Sequence, residues 1–184
     1  MLPDEEETLL NLIELIKNDD KKAFQEFFYL YQPGIFHFLY RYTSDTETAK
    51  DLTQETFIRF WLHRRNLQIS RSTTSYLYKT ARNLAINYSI KSAKTSRIDD
   101  QDDTLLRLSL NPELEYDAVF FMDDYQKAIE KLPERCRATF ILSRFSGFDY
   151  SEIAEILGVS LQTVKNQMNK ALSVLKNLLA VYLN

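Results

Sequence analysis

Residues 149–176, DYSEIAEILGVSLQTVKNQMNKALSVLK, have the pattern of a short helix, a turn and a longer helix. Asp149 can cap the first helix, with Glu152 three residues later as its capping-box partner. Gly158 stands where the turn needs a positive φ, which glycine adopts without a Cβ clash. Ser160 can cap the second helix. Together these signals predict a helix-turn-helix, a motif that places its second helix in the major groove of DNA.

The second predicted helix separates an apolar face from a polar one. Its apolar residues recur three and four positions apart, which is typical of the buried side of a helix. They are Leu161, Val164, Met168, Ala171, Leu172 and Leu175. The polar face carries amides, a hydroxyl and lysines, the groups that contact base edges and phosphates. These candidate DNA-binding residues are Gln162, Thr163, Lys165, Asn166, Asn169 and Lys170. Because Glu155 is the last acid in the chain, no carboxylate on this helix repels phosphate. The alternative is an ordinary corner of two helices with a solvated polar face.

The composition favours an all-α protein of the cytoplasm. With 45% apolar residues the chain can bury a core, and only 3 glycines and 4 prolines indicate long helices with few turns. The single cysteine, Cys136, excludes an internal disulfide and favours a reducing compartment. No apolar run approaches the roughly 18–20 residues that cross a bilayer. The acidic start, MLPDEEETLL, lacks the basic residues of a signal peptide.

The net charge of −3 is an average over blocks of opposite sign. Residues 1–60 have a net charge of −6, whereas residues 61–97 carry 8 bases and no acid. Residues 98–134 have a net charge of −8, and residues 135–184 have a net charge of +3. Two basic segments separated by an acidic one predict two contacts with nucleic acid.

Helical periodicity covers most of the chain, and no segment has the pattern of a strand. The predicted helices are residues 5–18, 21–31, 33–43, 46–66, 73–94, 112–132, 133–146, 149–157 and 160–181. Pro33 and Pro133 suit first-turn positions, and Ser44 with Glu47 suits a capping box. The sequence therefore predicts an all-α fold.

An acidic linker divides the predicted helices into two groups. Residues 95–111, TSRIDDQDDTLLRLSLN, include four aspartates within five positions and no aromatic residue. Such a segment repels itself and is poorly able to fold alone. We therefore predict two small helical domains, residues 1–94 and 112–184, joined by a flexible acidic linker that holds them apart. The second domain carries the helix-turn-helix.

The first domain contains a dense aromatic segment followed by a charged helix. Residues 24–42 include nine aromatic residues, and at helical spacing such residues usually form a packed core. His37 lies among them and is interpreted as a core histidine rather than a metal ligand. The following helix combines an apolar stripe with a charged row in the string DLTQETF, residues 51–57. The residues alone would indicate a solvated face there.

The next helix has the composition of a surface for unpaired DNA. Residues 76–88, YLYKTARNLAINY, alternate tyrosines with bases and asparagines. Rings can stack on unpaired bases while cations hold the phosphates, and an asparagine can bond the edge of a base that has left the stack. The candidates are Tyr76, Lys79, Arg82, Asn83, Asn87 and Lys91, with Tyr78 and Tyr88 as further stacking rings. A basic helix that binds duplex nucleic acid, or a solvated face, is the alternative.

Three strings, in this order and spacing, resemble the extracytoplasmic-function sigma factors of the bacterial sigma-70 family. They are DLTQETF at 51–57, YLYKTARNLAINY at 76–88 and LPERCRATFILSRFSGFDYSEIAEILGVSLQTVKNQMNKAL at 132–172. The resemblance covers residues 22–94 and 120–181 approximately. It implies an RNA polymerase sigma factor, which directs core polymerase to specific promoters and begins transcription without being an enzyme itself.

The resemblance also implies roles for the candidate residues. Asn83 falls where a base of the −10 element is captured, and the polar face of helix 160–181 falls where the −35 element is contacted. Residues 132–147 fall where the family meets the flap of the second large polymerase subunit. The clamp helices of the largest subunit would be bound by Asp51, Gln54, Glu55 and Phe57. The implied partners are core RNA polymerase, promoter DNA and an anti-sigma factor, which in this group is commonly anchored to the membrane.

The chain departs from the family pattern at two places. His63 and the two arginines after it stand where an acid often precedes the bases, so no contact is assigned to His63. The recognition helix carries Lys165 and Lys170 where arginine is frequent. Because lysine is a point charge and not a bidentate fork, the promoter sequence cannot be copied from relatives.

Two other functions compete with this reading. The first is a two-domain transcription factor whose N-terminal domain senses a signal, and the second is a helical interaction module with no role on nucleic acid. An enzyme is not indicated, because the sequence has no paired nucleophile and base, no metal-ligand cluster and no Gly-rich phosphate loop. We therefore predict no catalytic residue, cofactor, metal or small-molecule substrate.

Overall fold

The computed structural model describes residues 3–66, 72–95 and 124–180, and these residues form helices without any strand. The elements are α1 (Pro3–Lys17), α2 (Lys21–Thr43), α3 (Thr46–His63), a 3-10 turn (Arg64–Asn66), α4 (Ser72–Thr95), α5 (residues 124–130), α6 (Glu134–Arg144), α7 (Tyr150–Leu157) and α8 (Leu161–Leu178). This confirms the all-α prediction. Except for Thr95, the predicted linker lies outside the described residues. Within the described ranges, no helix is both long and apolar enough to cross a membrane.

The first half, α1–α4, is built on aromatic residues, as the sequence predicts. Phe27 and Phe60 are fully buried, and their rings stack at 4.6 Å. Phe38 is also buried and meets the ring of Tyr78 from α4 edge-on at 5.5 Å. His37, however, is exposed on the outer side of α2. Its interpretation as a core histidine is wrong, because each residue of a helix is rotated by about 100° from its neighbour, and this rotation turns His37 away from the buried side of Phe38.

The boundary predictions at Pro33 and Ser44 are also wrong. Helix α2 continues through Pro33 as one 23-residue helix. Pro33 is exposed, so solvent can satisfy the carbonyl that its missing N–H leaves unpaired. Ser44 ends α2 with φ 58° and its N–H bonds Tyr40 O at 2.7 Å. Asp45 caps α3 instead, accepting from Thr48 N at 2.8 Å.

The second half, α5–α8, packs aliphatic residues around the helix-turn-helix. Ile153, Ile156 and Val164 are fully buried, and Met168 is nearly so. Leu161 and Leu172, which the sequence assigned to the buried face of α8, are 42% and 41% exposed. They lie at the edge of the apolar stripe, where a single layer of neighbours covers only one side of each side chain. Cys136 is buried, and burial raises the pKa of its thiol, which fits a structural thiol.

The two halves pack against each other, with α4 on α7 and α2 on α6. Buried apolar residues of both halves form one connected cluster. This differs from the expectation that an acidic linker holds the domains apart. We call the contact of α4 with α7 and of α2 with α6 the seam. The rings of Tyr78 and Phe148 meet edge-on at 4.7 Å across it. Contact between aromatic rings is apolar, so the negative charge of the linker does not oppose it.

Candidate nucleic-acid and polymerase interfaces

Local hydrogen bonds fix the helix-turn-helix as the sequence predicts. Asp149 Oδ1 accepts from Ser151 N at 2.7 Å and from Glu152 N at 2.9 Å, and Glu152 Oε2 accepts from Asp149 N at 2.8 Å. Gly158 ends α7 with φ 65°. Ser160 Oγ accepts from Thr163 N at 3.1 Å and begins α8. The angle between α7 and α8 is therefore set by two N-caps and one glycine.

The outer face of α8 presents amides between two lysines. At 100° per residue, Gln162, Asn166 and Asn169 fall within a sector of about 60°, with Lys165 beyond one side and Lys170 beyond the other. All five side chains are exposed. Gln162 Nε2 donates to Asn166 Oδ1 at 3.0 Å, which orders two of the amides relative to each other. Amide groups flanked by cations suit base edges flanked by phosphates.

Two residues at the inner edge of this face behave differently. Thr163, a candidate, is half-buried, and its hydroxyl lies 2.8 Å from Ser160 Oγ, so it supports the cap. Gln167, which the sequence analysis did not select, accepts from Thr139 Oγ1 at 2.7 Å and ties α8 to α6. Both line a cavity of about 230 Å³ with Arg82, Arg135, Leu157 and Val159. An amide beside the polar stripe was the only signal for Gln167 in the sequence.

Helix α4 carries a second exposed polar face. Lys79, Asn83 and Asn87 recur every four residues and are exposed, and Tyr76 lies in the same sector of about 80°. Tyr76 is half-buried, and its ring lies 6.3 Å from that of Phe60. The structure therefore brings four of the six predicted residues of this helix together.

Two other predicted residues of α4, Arg82 and Tyr78, do not join this face. Arg82 turns towards α6 and pairs with Glu134 at 3.7 Å, with only 18% of its side chain exposed. Tyr78 is 6% exposed beneath Phe148, and burial raises the pKa of its hydroxyl. Its interpretation as a stacking ring for DNA is wrong in this arrangement, because its ring belongs to the core. The side chain of Lys91 lies outside the described residues, and Tyr88 is 40% exposed.

The predicted polymerase-binding residues on α3 divide into an exposed row and one core residue. Asp51 and Gln54 are exposed, and Glu55 pairs with Arg59 at 2.7 Å on the surface. Phe57 is 2% exposed and packs edge-on against Phe28 at 4.7 Å. Phe57 therefore cannot touch a partner directly, because its helical position places it towards α2. The assignment of Phe57 to the polymerase surface is wrong, and Phe57 instead positions α3 by packing in the core.

Two exposed apolar residues extend the row on α3, and the sequence analysis did not select them. Ile58 and Leu62 are 52% and 67% exposed. With Asp51 and Glu55 they recur at intervals of four, three and four residues, so all four lie on one face of the helix. The spacing can be seen in the sequence, but an apolar residue at helical spacing is usually buried, so only the structure shows that Ile58 and Leu62 are exposed.

Part of the basic block is already neutralised within the first half. Arg64 and Arg65 both bind the carboxylate of Asp19, which lies in the turn between α1 and α2. The hydrogen bonds from Arg65 and Arg64 lower the pKa of Asp19. Arg64 also stacks over Trp61, with Cζ 4.1 Å from the ring centre. Arg64 and Arg65 are therefore engaged within the first half, and Arg82 of the same block is engaged by Glu134 across the seam.

Comparison with known proteins shows that the two halves match two regions of the same family. Sigma-70 region 2 matches residues 27–95, and Sigma-70, region 4 matches residues 122–175. The ECF RNA polymerase sigma factor SigW of Bacillus subtilis is 27% identical over 173 residues, which are 89% of this chain and 92% of that protein. The RNA polymerase sigma-H factor of Pseudomonas aeruginosa is 26% identical over 181 residues, 87% of this chain and 88% of that protein.

Solved structures have the same fold. CnrH, determined in complex with the cytosolic domain of CnrY, superposes with a TM-score of 0.73 at 17% identity, covering 95% of this chain and 98% of CnrH. The sigma factor RpoE of Bartonella quintana, determined with the anti-sigma factor NepR, gives a TM-score of 0.72 at 24% identity over 87% of this chain and 98% of RpoE. The chain belongs to the sigma-70 family and is an RNA polymerase sigma factor of the extracytoplasmic-function type.

Proposed function

We propose that this sigma factor reads its promoters with the two exposed polar faces on α4 and α8, and binds polymerase with the exposed row on α3. The observation that carries the proposal is the presence of two amide-and-lysine faces on separate helices, each within a different matched region. The functional units are residues 1–94 and 112–184, joined by the acidic segment 95–111. Core polymerase and promoter DNA are the partners, and the site of action is the cytoplasm.

The face of α8 is proposed to lie in the major groove of the −35 element. Asn169 and Asn166 can each form paired hydrogen bonds with an adenine edge, a contact that discriminates between bases. Lys165 and Lys170 stand on opposite sides of these amides, where the two phosphate backbones border the groove. Gln162 and Thr163 lie at the N-terminal end of the helix, which also favours phosphate.

The face of α4 is proposed to hold the −10 element after its strands separate. Asn83 and Asn87 present amides one turn apart, with Tyr76 beside them and Lys79 at the edge of the same face. Duplex DNA would give the ring of Tyr76 nothing to stack on, whereas a melted strand offers both bases and phosphates. Arg82 and Lys91 complete the proposed set of cations.

A polymerase-binding role for α3 is proposed for Asp51, Gln54 and Glu55, with Ile58 and Leu62 adding apolar area. Charged residues around a small apolar centre are typical of protein interfaces. A further proposed partner is an anti-sigma factor, because the related RpoE was determined with the anti-sigma factor NepR.

The test is assembly with purified core polymerase, followed by transcription from a cognate promoter. Gln54→Ala with Glu55→Arg should reduce assembly while leaving helix content unchanged. The chain provides a matched control, because Gln25 and Glu26 are an exposed glutamine–glutamate pair on α2. Gln25→Ala with Glu26→Arg should assemble normally. Equal assembly by both folded variants would contradict the assignment to α3.

The same preparation separates the proposal from its rivals. A sigma factor should bind promoter DNA weakly alone and tightly with core polymerase, whereas a two-domain regulator should bind duplex DNA equally well without polymerase. A helical interaction module should show an affinity that does not depend on salt, because phosphate binding weakens steeply as salt rises.

A further inference from the structure

Helix α4 continues beyond the buried core at its C-terminal end. Ala85 is fully buried and Ile86 is half-buried. The next four residues, 87–90, are all exposed, and the helix continues to Thr95. Because successive residues are rotated by about 100°, these four lie on four different sides of the helix. An apolar residue in this part of α4 is therefore not explained by packing in the core.

One apolar residue of this end lies on the polar face that is proposed to hold the −10 strand. Ile90 is 52% exposed. At 100° per residue it falls inside the sector of about 80° that contains the four residues of that face, one turn beyond Asn87. Tyr88, which is 40% exposed, points about 160° away from Ile90. The proposed DNA-binding row of α4 therefore ends in an exposed aliphatic side chain.

The charge around Ile90 selects the kind of partner that covers it. Residues 61–97 carry 8 bases and no acid, so a chain of phosphates is attracted to this end of α4. An aliphatic side chain among such contacts needs an apolar group on the nucleic acid. The 5-methyl group of thymine is such a group on a base edge, and apolar side chains contact it. Uracil differs from thymine only in lacking this methyl group.

The length of α4 limits which thymine Ile90 can reach. Positions 83 and 90 lie roughly 10 Å apart along the helix at a rise of 1.5 Å per residue. Successive nucleotides of one stacked strand are about 3.4 Å apart. Asn83 and Ile90 therefore reach bases that are no more than about three nucleotides apart when the strand runs along the helix.

We propose that Ile90 is a specificity-determining residue that packs on the 5-methyl group of one thymine in the −10 element, within about three nucleotides of the base that Asn83 holds. This inference rests on the proposed function of α4. It adds one apolar contact to a surface of amides and a lysine. That contact distinguishes thymine from a pyrimidine without the methyl group at one position of the promoter.

The first test replaces each thymine of the −10 element by deoxyuridine, one position at a time, and measures promoter binding by holoenzyme. For the parent chain, one replacement should weaken binding by about threefold to fivefold, the effect of exposing one buried methyl group. Ile90→Ala should bind the thymine and deoxyuridine promoters equally at that position. The variant should keep the helix, because alanine has a higher helix propensity than isoleucine. An equal loss for the parent and Ile90→Ala, or no loss at any position for the parent, would overturn the inference.

The second test adds the methyl group to another base. Cytosine and 5-methylcytosine are compared at the same position, and the methyl group should raise the affinity of the parent by a similar factor and leave that of Ile90→Ala unchanged. Tyr88→Ala is the matched control, because it removes an exposed side chain from the same end of α4 but from a different side. It should respond to the methyl group as the parent does. If Tyr88→Ala also becomes insensitive to the methyl group, the assignment to Ile90 is wrong.

Two further outcomes separate this inference from other roles of α4. Insertion of Ile90 as a wedge between base steps would make Ile90→Ala impair promoter opening equally with and without the methyl group, and that result would overturn the methyl contact. Asn83→Ala is measured on the same promoters. If Asn83→Ala has no effect at any base, the proposed function of α4 fails. If Asn83→Ala acts at one base and the parent is insensitive to the methyl group, only the role of Ile90 is refuted.

Discussion

Helices α4 and α8 carry the same kinds of side chain for the same proposed task, yet only α8 presents them freely. On α8, Asn166, Asn169 and both lysines face solvent. On α4, Asn83 and Asn87 do so, but Arg82 and Tyr78 are taken into the seam between the halves. Helix α8 is the outer element of its half, whereas α4 lies between the aromatic core of α2 and α3 and the helix α7.

This difference shows that the exposed residues of a helix can be predicted from its own sequence only when the helix is buried on one side. Helix α4 is buried on two sides. Some of its polar residues therefore face solvent and others lie in the interface with the second half, and the two groups have the same spacing in the sequence.

The largest effect is expected from the core beneath α4. Phe60→Ala removes a ring that is fully buried and stacked on Phe27, and such truncations cost about 3–5 kcal/mol. Urea unfolding should show this loss in a single transition, because the halves share one core. Leu172→Ala on α8, which is 41% exposed, is the control and should cost less than about 1 kcal/mol. Two separate transitions would mean that the shared core does not couple the halves.

The next effect concerns base reading by α8. Asn169→Ala should weaken binding by about 1–3 kcal/mol at one base position and little elsewhere, if the amide makes a paired contact with adenine. Lys165→Ala should weaken binding evenly across sequences and lower the salt dependence, if its partner is a phosphate. Holoenzyme binding to a panel of −35 variants measures both. Identical profiles for the two variants would contradict the assignment of amides to bases and lysines to phosphates.

A smaller effect is expected for Asn83 on α4. Asn83→Ala should leave recruitment through the −35 element nearly intact and impair opening by roughly 1–2 kcal/mol, the cost of losing hydrogen bonds to one base. Transcription from a normal promoter is compared with transcription from one that has a premelted −10 bubble of the same sequence. Asn11→Ala, an exposed asparagine on α1, is the control.

The two templates give the Asn83 experiment a clear outcome. A loss on the normal template alone supports a role in melting, and an equal loss on both supports base reading without melting. If transcription from neither template is affected, Asn83 has no role in base capture, and the proposal that α4 and α8 both bind promoter DNA loses its support from Asn83.

The smallest effect concerns the cap that positions α3. Asp45→Ala should cost about 1 kcal/mol, as is usual for loss of an N-cap. Hydrogen bonds from Thr48 lower the pKa of Asp45 in the folded chain, so this stabilisation is present above the unfolded pKa of about 4 and is lost as the pH falls through the folded pKa. The difference between the thermal melts of the parent and variant should therefore begin to shrink near pH 4 and should vanish only below the lowered pKa of the folded chain. A constant difference at all pH values would exclude the ionised cap.

The sequence determined those features whose causes lie within a few residues. The caps at Asp149 and Ser160 and the turn at Gly158 are short-range hydrogen bonds and backbone preferences, and the structure has all three. The separation of Val164 and Met168 from Asn166 and Asn169 follows from helical periodicity alone. The resemblance of three strings to sigma factors was sufficient for the family, because each string carries its own local pattern.

Which polar and aromatic side chains are exposed to a partner depends on how the helices pack. Phe57 and Tyr78 became core residues, His37 and Leu161 became exposed, and Arg82 became half of an ion pair between the halves. Helical periodicity is the same for a residue exposed on the surface and for a residue buried in an interface, so the sequence around these residues does not distinguish the two cases. Burial depends on what another part of the chain places opposite a side chain, and for Arg82 that partner is 52 positions away, beyond the reach of any local pattern.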